Sequence, residues 1–198
     1  MADPRAVEAL KTALRRLPGV GPKSAQRMAF HLLRRDRDGA RQIGAAIARA
    51  LSDINHCARC NNFCEASKCA ICASPKRDAT QLCIVETPAD LQAIEQAGVY
   101  QGMYFVLMGH LSPLDDIGPS QLGIDRLLEL TKTDAVAEII LATNLTVEGQ
   151  ATADFIIDLM QPSGIRVTRL ARGMPMGGEL EYMDSGTLNQ AFSDRREV

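Results

Sequence analysis

Four cysteines, spaced Cys57-x2-Cys60-x8-Cys69-x2-Cys72, constrain this 198-residue chain more than any other feature. Two Cys-x-x-Cys knuckles on a short loop bring four thiolates around one tetrahedral Zn²⁺. The stretch 55–80 that carries them is poor in long aliphatic side chains and lacks helical or strand periodicity, so it can hardly form a core alone. Metal binding then supplies its folding energy, and one structural Zn²⁺ per chain is expected, held by Cys57, Cys60, Cys69 and Cys72. With four protein ligands such a site is closed to chemistry. Cys64 and Cys83 are left over. Cys64 lies in the loop as a substitute ligand at best, His56 beside Cys57 is a weaker one still, and Cys83 reads as a small buried side chain in an apolar strand. Disulfides are disfavoured in a reducing compartment. That compartment is the expected one, because Met1–Arg5 lacks the apolar core of a secretory signal and no apolar run approaches the ~20 residues of a membrane span.

Charge divides the chain at about the same place. Residues 1–50 hold 11 Lys and Arg against 4 Asp and Glu, a balance of +7, whereas residues 51–198 hold 11 against 20, a balance of −9. A basic head on an acidic body suggests an anion-binding end, with nucleic acid the commonest large anion in cytosol. Aromatic residues are 4% of the chain with no Trp, which argues against a base-stacking platform.

The basic head reads as three helices, over about 4–16, 22–35 and 39–51, the last with Ile43, Ile47 and Leu51 on one face. Between the first two lies Leu17-Pro18-Gly19-Val20-Gly21-Pro22. Gly19 and Gly21 let backbone approach an anion closely, and Pro22 suits a first helical position. The next amides, of Lys23 and Ser24, have no intrahelical acceptor and sit at the positive end of the helix dipole. At 100° per residue, Lys23, Arg27 and Arg34 fall within roughly 40° of one another, with Ala25, Met28, Leu32 and Leu33 opposite. A nucleotide phosphate loop is excluded, since Pro22 separates Gly21 from Lys23 and a helix precedes the turn. The segment resembles a helix-hairpin-helix motif, which grips DNA backbone without reading sequence.

From residue 81 apolar bursts alternate with helical stretches. The bursts are 82–85, 103–108, 138–142 and 166–170, with helices at about 88–97, 123–132 and 149–161, an order that predicts a largely parallel sheet covered on both faces. In Val85-Glu86-Thr87-Pro88-Ala89-Asp90 a strand runs into a helix, and Thr87, Pro88 and Asp90 fit its cap, first and third positions. Glu86 therefore lies at the carboxyl end of a strand, where open α/β sheets place their ligands. With Thr143-Asn144-Leu145-Thr146-Val147-Glu148-Gly149 after a later strand, this resembles a Toprim domain, in which a strand-end Glu and an Asp-x-Asp motif hold Mg²⁺. Here Asn144 and Thr146 stand at the Asp positions, so a two-metal phosphoryl-transfer site lacks carboxylates. The expectation is a scaffold for binding with no catalytic residues; a Mg²⁺-dependent nuclease or topoisomerase, and a redox-sensing adaptor, are the alternatives. His31 and His110 have no evident partner in sequence.

Taken together, the chain resembles the RecR family of bacterial recombination mediators. The resemblance rests on Leu17–Ala29, the four cysteines, Val85–Asp90, Gly109-His110-Leu111-Ser112-Pro113-Leu114 and Gly177-Gly178-Glu179-Leu180-Glu181-Tyr182. Leu145, where the family usually has Pro, bears only on local loop shape. The resemblance implies an α+β multidomain chain: a helix-hairpin-helix domain over 1–54, a zinc finger over 55–79, a Toprim domain over 80–175 and a C-terminal segment over 176–198 as an oligomer contact. It further implies dimers and ring-shaped tetramers around single- or double-stranded DNA, without catalysis, in the nucleoid-associated cytoplasm. RecO, and in some settings RecF, would be the partners in loading RecA onto gapped DNA coated with single-stranded-DNA-binding protein. Its DNA-contacting residues match Lys23 and Arg27. The acidic Toprim region suits a basic partner, with Glu86 and Glu148 as candidate contacts.

Overall fold

The structure is a computed structural model that describes residues 3–133, 135–171, 174, 177, 179–193 and 195. Residues 176, 178, 194 and 196–198 of the expected C-terminal contact, and Met1 and Ala2, lie outside that set. The chain divides into two compact units, one through Ile54 and one from Asn55.

The first unit is three helices: α1 (Arg5–Leu14), α2 (Pro22–Arg34) and α3 (Arg37–Asp53). α3 starts earlier than its apolar spacing predicts because Asp36 caps it, its Oδ1 accepting from Gly39 N at 2.8 Å. The packing face of α2 is narrower than expected. Ala25 and Ala29 are fully buried, whereas Met28 and Leu33 are each 40% exposed. Small side chains let α1 and α3 approach α2 closely and leave the larger ones outside. Neither α1 nor α3 buries any residue fully. Ile43, Ile47 and Leu51 do share one face of α3, but it points to solvent at 51%, 57% and 81% exposure.

The second unit begins with the cysteine-bearing segment. β1 (Asn55–His56) pairs antiparallel with β2 (Phe63–Cys64), and the short α4 (Ala70–Ala73) follows. Then come β3 (Asp78–Val85), α5 (Pro88–Ala97), β4 (Gly102–Val106), α6 (Ile124–Thr133), β5 (Glu138–Ala142), α7 (Val147–Met160), β6 (Arg166–Arg169) and α8 (Ser185–Ser193). β3 to β6 form one sheet in the order β4-β3-β5-β6, every neighbouring pair parallel. Alternation along β3 feeds two cores, as a strand period of two requires. Leu82 and Ile84 pack with Phe105, Leu127, Ile139 and Ile156 on one face; Cys83 and Val85 pack with Leu91, Tyr104 and Val106 on the other. Cys83 is the expected buried thiol, and burial pushes its pKa up to about 12.

α5 carries the capping box its sequence predicts. Thr87 Oγ1 accepts from Asp90 N at 3.2 Å, and Asp90 accepts from Thr87 N at 2.9 Å. α7 begins two residues before its predicted start because Thr146 caps it, accepting from Gly149 N at 3.1 Å. The chain runs from β3 through α5 to β4 on one side, while β5 lies on the other side of β3. The crevice at the end of β3 is thus the switch point of the sheet.

Candidate functional site

In the helical unit the glycine turn stands open. Gly19 takes φ +75°, the left-handed region that a side chain resists, with Val20 N donating to Leu17 O at 3.2 Å. Gly21 is in ordinary extended backbone and caps α2 with no side chain to offer, so the Lys23 and Ser24 amides receive no side-chain cap. Gly19, Gly21, Lys23, Arg27 and Arg34 are exposed and Ser24 is half-buried. The turn therefore joins unsatisfied amides, a positive helix end and three cations on one side of α2, an arrangement suited to phosphate. His31, from the same helix, lines an apolar hollow of about 740 Å³ with Leu14, Met28, Phe30 and Ile43.

In the second unit the Sγ atoms of Cys57, Cys60, Cys69 and Cys72 all lie within 4.8 Å of one another, and those of Cys60 and Cys69 are 3.5 Å apart. A tetrahedral ion with Zn–S bonds of about 2.3 Å sets its sulfurs about 3.8 Å apart, so the cluster has the size zinc needs. Backbone amides already point at sulfur: Cys69 N reaches Cys57 Sγ at 3.3 Å and Cys72 N reaches Cys69 Sγ at 3.5 Å. Four thiols so close cannot all ionise without a cation, and their acidities split accordingly. The Cys60 thiol bonds to Cys72, which raises the pKa of Cys60 and holds that of Cys72 down at about 5; burial pushes Cys69 up to about 11. A soft divalent ion removes the conflict by making all four thiolates. Cys64 stands outside the cluster, its thiol donating to Ala66 O at 2.8 Å. His56 turns its Nδ1 to the Asn61 carbonyl oxygen at 3.0 Å.

Two residues that sequence reasoning missed join this finger to the sheet. Asn61, 9% exposed with φ +65°, donates through Nδ2 to Val106 O at 2.8 Å, while Val106 N donates to Cys60 O at 2.9 Å. Arg126 of α6 donates to Asn61 Oδ1 at 2.7 Å and to the carbonyls of Cys57 and Ala58 at 3.0 and 3.1 Å. An Asn after a Cys-x-x-Cys pair signals a left-handed residue. Nothing in the sequence around Arg126 marks it.

At the crevice, Glu86 corrects the expectation of a partner contact. It is 2% exposed and so offers its carboxylate to the domain interior rather than to a partner. Its Oε1 accepts from Asn144 N at 2.7 Å, its Oε2 accepts from Asn144 Nδ2 at 2.9 Å, and His110 Nδ1 lies 3.3 Å from Oε2. His110 thus has a partner invisible in sequence. Gly149 is required beside them: a Cβ there would lie 2.2 Å from Asn144 O and 2.6 Å from Glu86 Oε1. Glu148 is exposed in the first turn of α7, just after Leu145 and Val147 at 73% and 82% exposure.

Family models match the RecR helix-hairpin-helix over residues 7–51, the RecR four-cysteine zinc finger domain over 54–74, the Toprim domain over 80–171 and the RecR C-terminal region over 173–196. The chain is 56% identical to the Recombination protein RecR of Chromobacterium violaceum over 198 residues, covering 100% of each. The four cysteines are accordingly those of a structural zinc finger. Among the described residues no helix is long and apolar enough to cross a membrane.

Proposed function

From the premise that this chain belongs to the RecR family, with a recombination and repair role, we propose that it is a non-catalytic clamp on DNA. Lys23, Ser24, Arg27 and Arg34, with the amides after Gly19 and Gly21, hold the sugar–phosphate backbone of single- or double-stranded DNA without reading sequence. Subunits close into dimers and ring-shaped tetramers, in part through the segment 176–198. With RecO, and in some settings RecF, the ring promotes RecA loading on gapped DNA coated with single-stranded-DNA-binding protein. Glu148, exposed in the acidic Toprim region, is the candidate contact for such a basic partner. The domains carry these tasks separately, over 1–54, 55–79, 80–175 and 176–198, and the protein works in the nucleoid-associated cytoplasm.

The observation that carries this reading is the exposed turn, whose amides have no cap and whose cations share one side of α2. Self-assembly is supported by the apolar face of α3, which the first unit does not bury at Ile43, Ile47 and Leu51. Phosphoryl transfer at Glu86 is opposed by its donors: Asn144 supplies N–H groups where the nuclease reading needs carboxylates, and Thr146 is engaged as a helix cap.

Salt dependence tests the proposal. Each lost phosphate contact lowers the slope of log K against log[salt] by about 0.9 on duplex DNA. Lys23→Ala with Arg27→Ala should remove about 1.8 of slope per engaged subunit and nearly abolish binding at moderate salt, with zinc content and helicity unchanged. A folded double variant with wild-type affinity and slope would refute the assignment of this face.

A further inference from the structure

The Toprim likeness implies a divalent cation at the strand-end glutamate, and the residues around Glu86 do not fit one. Mg²⁺ requires oxygen ligands at about 2.0–2.1 Å, usually including one or two carboxylates. Here both Glu86 oxygens are already on N–H donors of a single residue, Asn144, at 2.7 and 2.9 Å. A carboxylate can only accept, so the Asn144 carboxamide turns its NH2 toward Glu86 and presents no oxygen on that side. The second residue of the expected acidic pair, Thr146, has its hydroxyl on Gly149 N. Even a methyl group at Gly149 would fall 2.6 Å from Glu86 Oε1, so the donors close around the carboxylate.

We propose that Asn144 takes the place of the cation at this site, and that Glu86 is a positioning residue for the Asn144–Gly149 elbow. Glu86 is well placed for that task. It extends β3, the interior strand that β4 and β5 flank, and its own carbonyl accepts from Gly109 N at 2.9 Å. The elbow that it grips connects β5 to α7 and carries the exposed side chains of Leu145, Val147 and Glu148. One buried carboxylate therefore fixes the start of α7 from across the crevice. The charge that a metal would neutralise is met by two N–H groups of the chain, with His110 Nδ1 beside them. This inference stands apart from the DNA reading, because it concerns residues and a ligand that the glycine turn does not involve.

The full-length, zinc-loaded protein provides the test, with MgCl₂ as the probe at constant ionic strength. The thermal midpoint of the wild type should not move as Mg²⁺ rises through the millimolar range. Asn144→Asp sets a second carboxylate against Glu86; its midpoint should be lower without Mg²⁺ and should climb as Mg²⁺ is added, as linkage requires of a ligand bound only by the folded state. In Glu86→Gln, the backbone amide of Asn144 should lose the downfield proton shift of a carboxylate bond, and resonances from Asn144 to Gly149 should move while those of the zinc finger stay. A wild-type midpoint that rises with Mg²⁺, and ceases to rise in Glu86→Gln, would make Glu86 a metal ligand and overturn the proposal. Elbow resonances unmoved in Glu86→Gln would refute its positioning role. A folded Asn144→Asp indifferent to Mg²⁺ would refute the replacement of a cation by Asn144. Should that variant not fold, the wild-type titration and the Glu86→Gln spectra decide the question alone.

Discussion

Arg126→Met tests how tightly the zinc finger is tied to the sheet. The guanidinium makes three hydrogen bonds into the knuckle, at 2.7 Å to Asn61 Oδ1 and 3.0 and 3.1 Å to the Cys57 and Ala58 carbonyls. Methionine keeps much of the aliphatic stem and removes all three. Bonds to a charged donor contribute about 1.5–3 kcal/mol where the acceptor is buried and less where water can replace the donor. Asn61 and Cys57 are buried, Ala58 is exposed and Arg126 itself is exposed, so two bonds fall near the lower end of that range and the third below it. The expected loss is about 2–4 kcal/mol. For a unit of this size that is a fall in Tm of about 5–10 °C. Every tyrosine of the chain (Tyr100, Tyr104, Tyr182) lies in the second unit, and there is no Trp, so tyrosine emission follows that unit alone. A chromogenic chelator follows zinc release in the same scan. In the wild type the two signals should coincide; in Arg126→Met zinc release should come first, since the finger loses an anchor while the β4 edge keeps its own. Lys132→Ala is the control, because Lys132 bonds Glu129 in an exposed pair on the same helix, worth under about 0.5 kcal/mol. Zinc release and tyrosine melting at wild-type temperatures in Arg126→Met would show that these bonds add nothing.

The two glycines of the turn should behave differently. Gly19→Ala forces a side chain into φ +75° and should cost about 1 kcal/mol or more by thermal denaturation. Gly21→Ala meets ordinary backbone and no neighbour within 4 Å, so stability should hold while DNA affinity, measured by fluorescence anisotropy, should fall because the new methyl would stand on the proposed path of the phosphate. Removing zinc with a chelator should unfold the finger and lower the tyrosine melting temperature, with helicity of the first unit retained by circular dichroism. Glu95 supplies a pH dependence. Hydrogen bonds from Arg77 and then Tyr104 hold its carboxyl below the usual range, so its contribution is complete above the unfolded pKa of about 4.3 and is lost as pH falls through the lower folded value. Urea midpoints should drop through that acid window in the wild type and drop less in Arg77→Met.

Much of this arrangement is legible in sequence because it is local. The cysteine spacing, the Gly19–Pro22 turn, the capping box of α5 and the cations at positions 23, 27 and 34 each follow from residues a few positions apart, where chain geometry alone sets the distance. What escapes is long-range pairing. Asn61 with Arg126 is a contact across 65 residues, and Asn144 with Glu86 one across 58. No periodicity reports on either, since each side chain looks solvated in its own element. The reading of Glu86 as a partner contact fails for that reason: strand-end position is local information, whereas burial depends on the elbow that folds over it. Helix starts differ by two residues where a cap, Asp36 or Thr146, extends a helix past its apolar pattern.

The first unit poses a different problem, because local pattern identifies the apolar face of α3 correctly and the unit does not bury it. A stripe of Ile43, Ile47 and Leu51, each more than half exposed, is an unusual surface for a lone subunit. Its exposure and the modest DNA contact make sense as one design under the proposed assembly. On the proposed reading a single glycine turn touches few phosphates, and few contacts give weak, salt-sensitive binding. Several turns held on one ring act at an effective concentration set by the ring, so avidity grows without any turn improving. Under that logic the fold places its affinity in the contacts between subunits and leaves each turn weak enough to release. A clamp built this way can hold DNA of any sequence and still move along it.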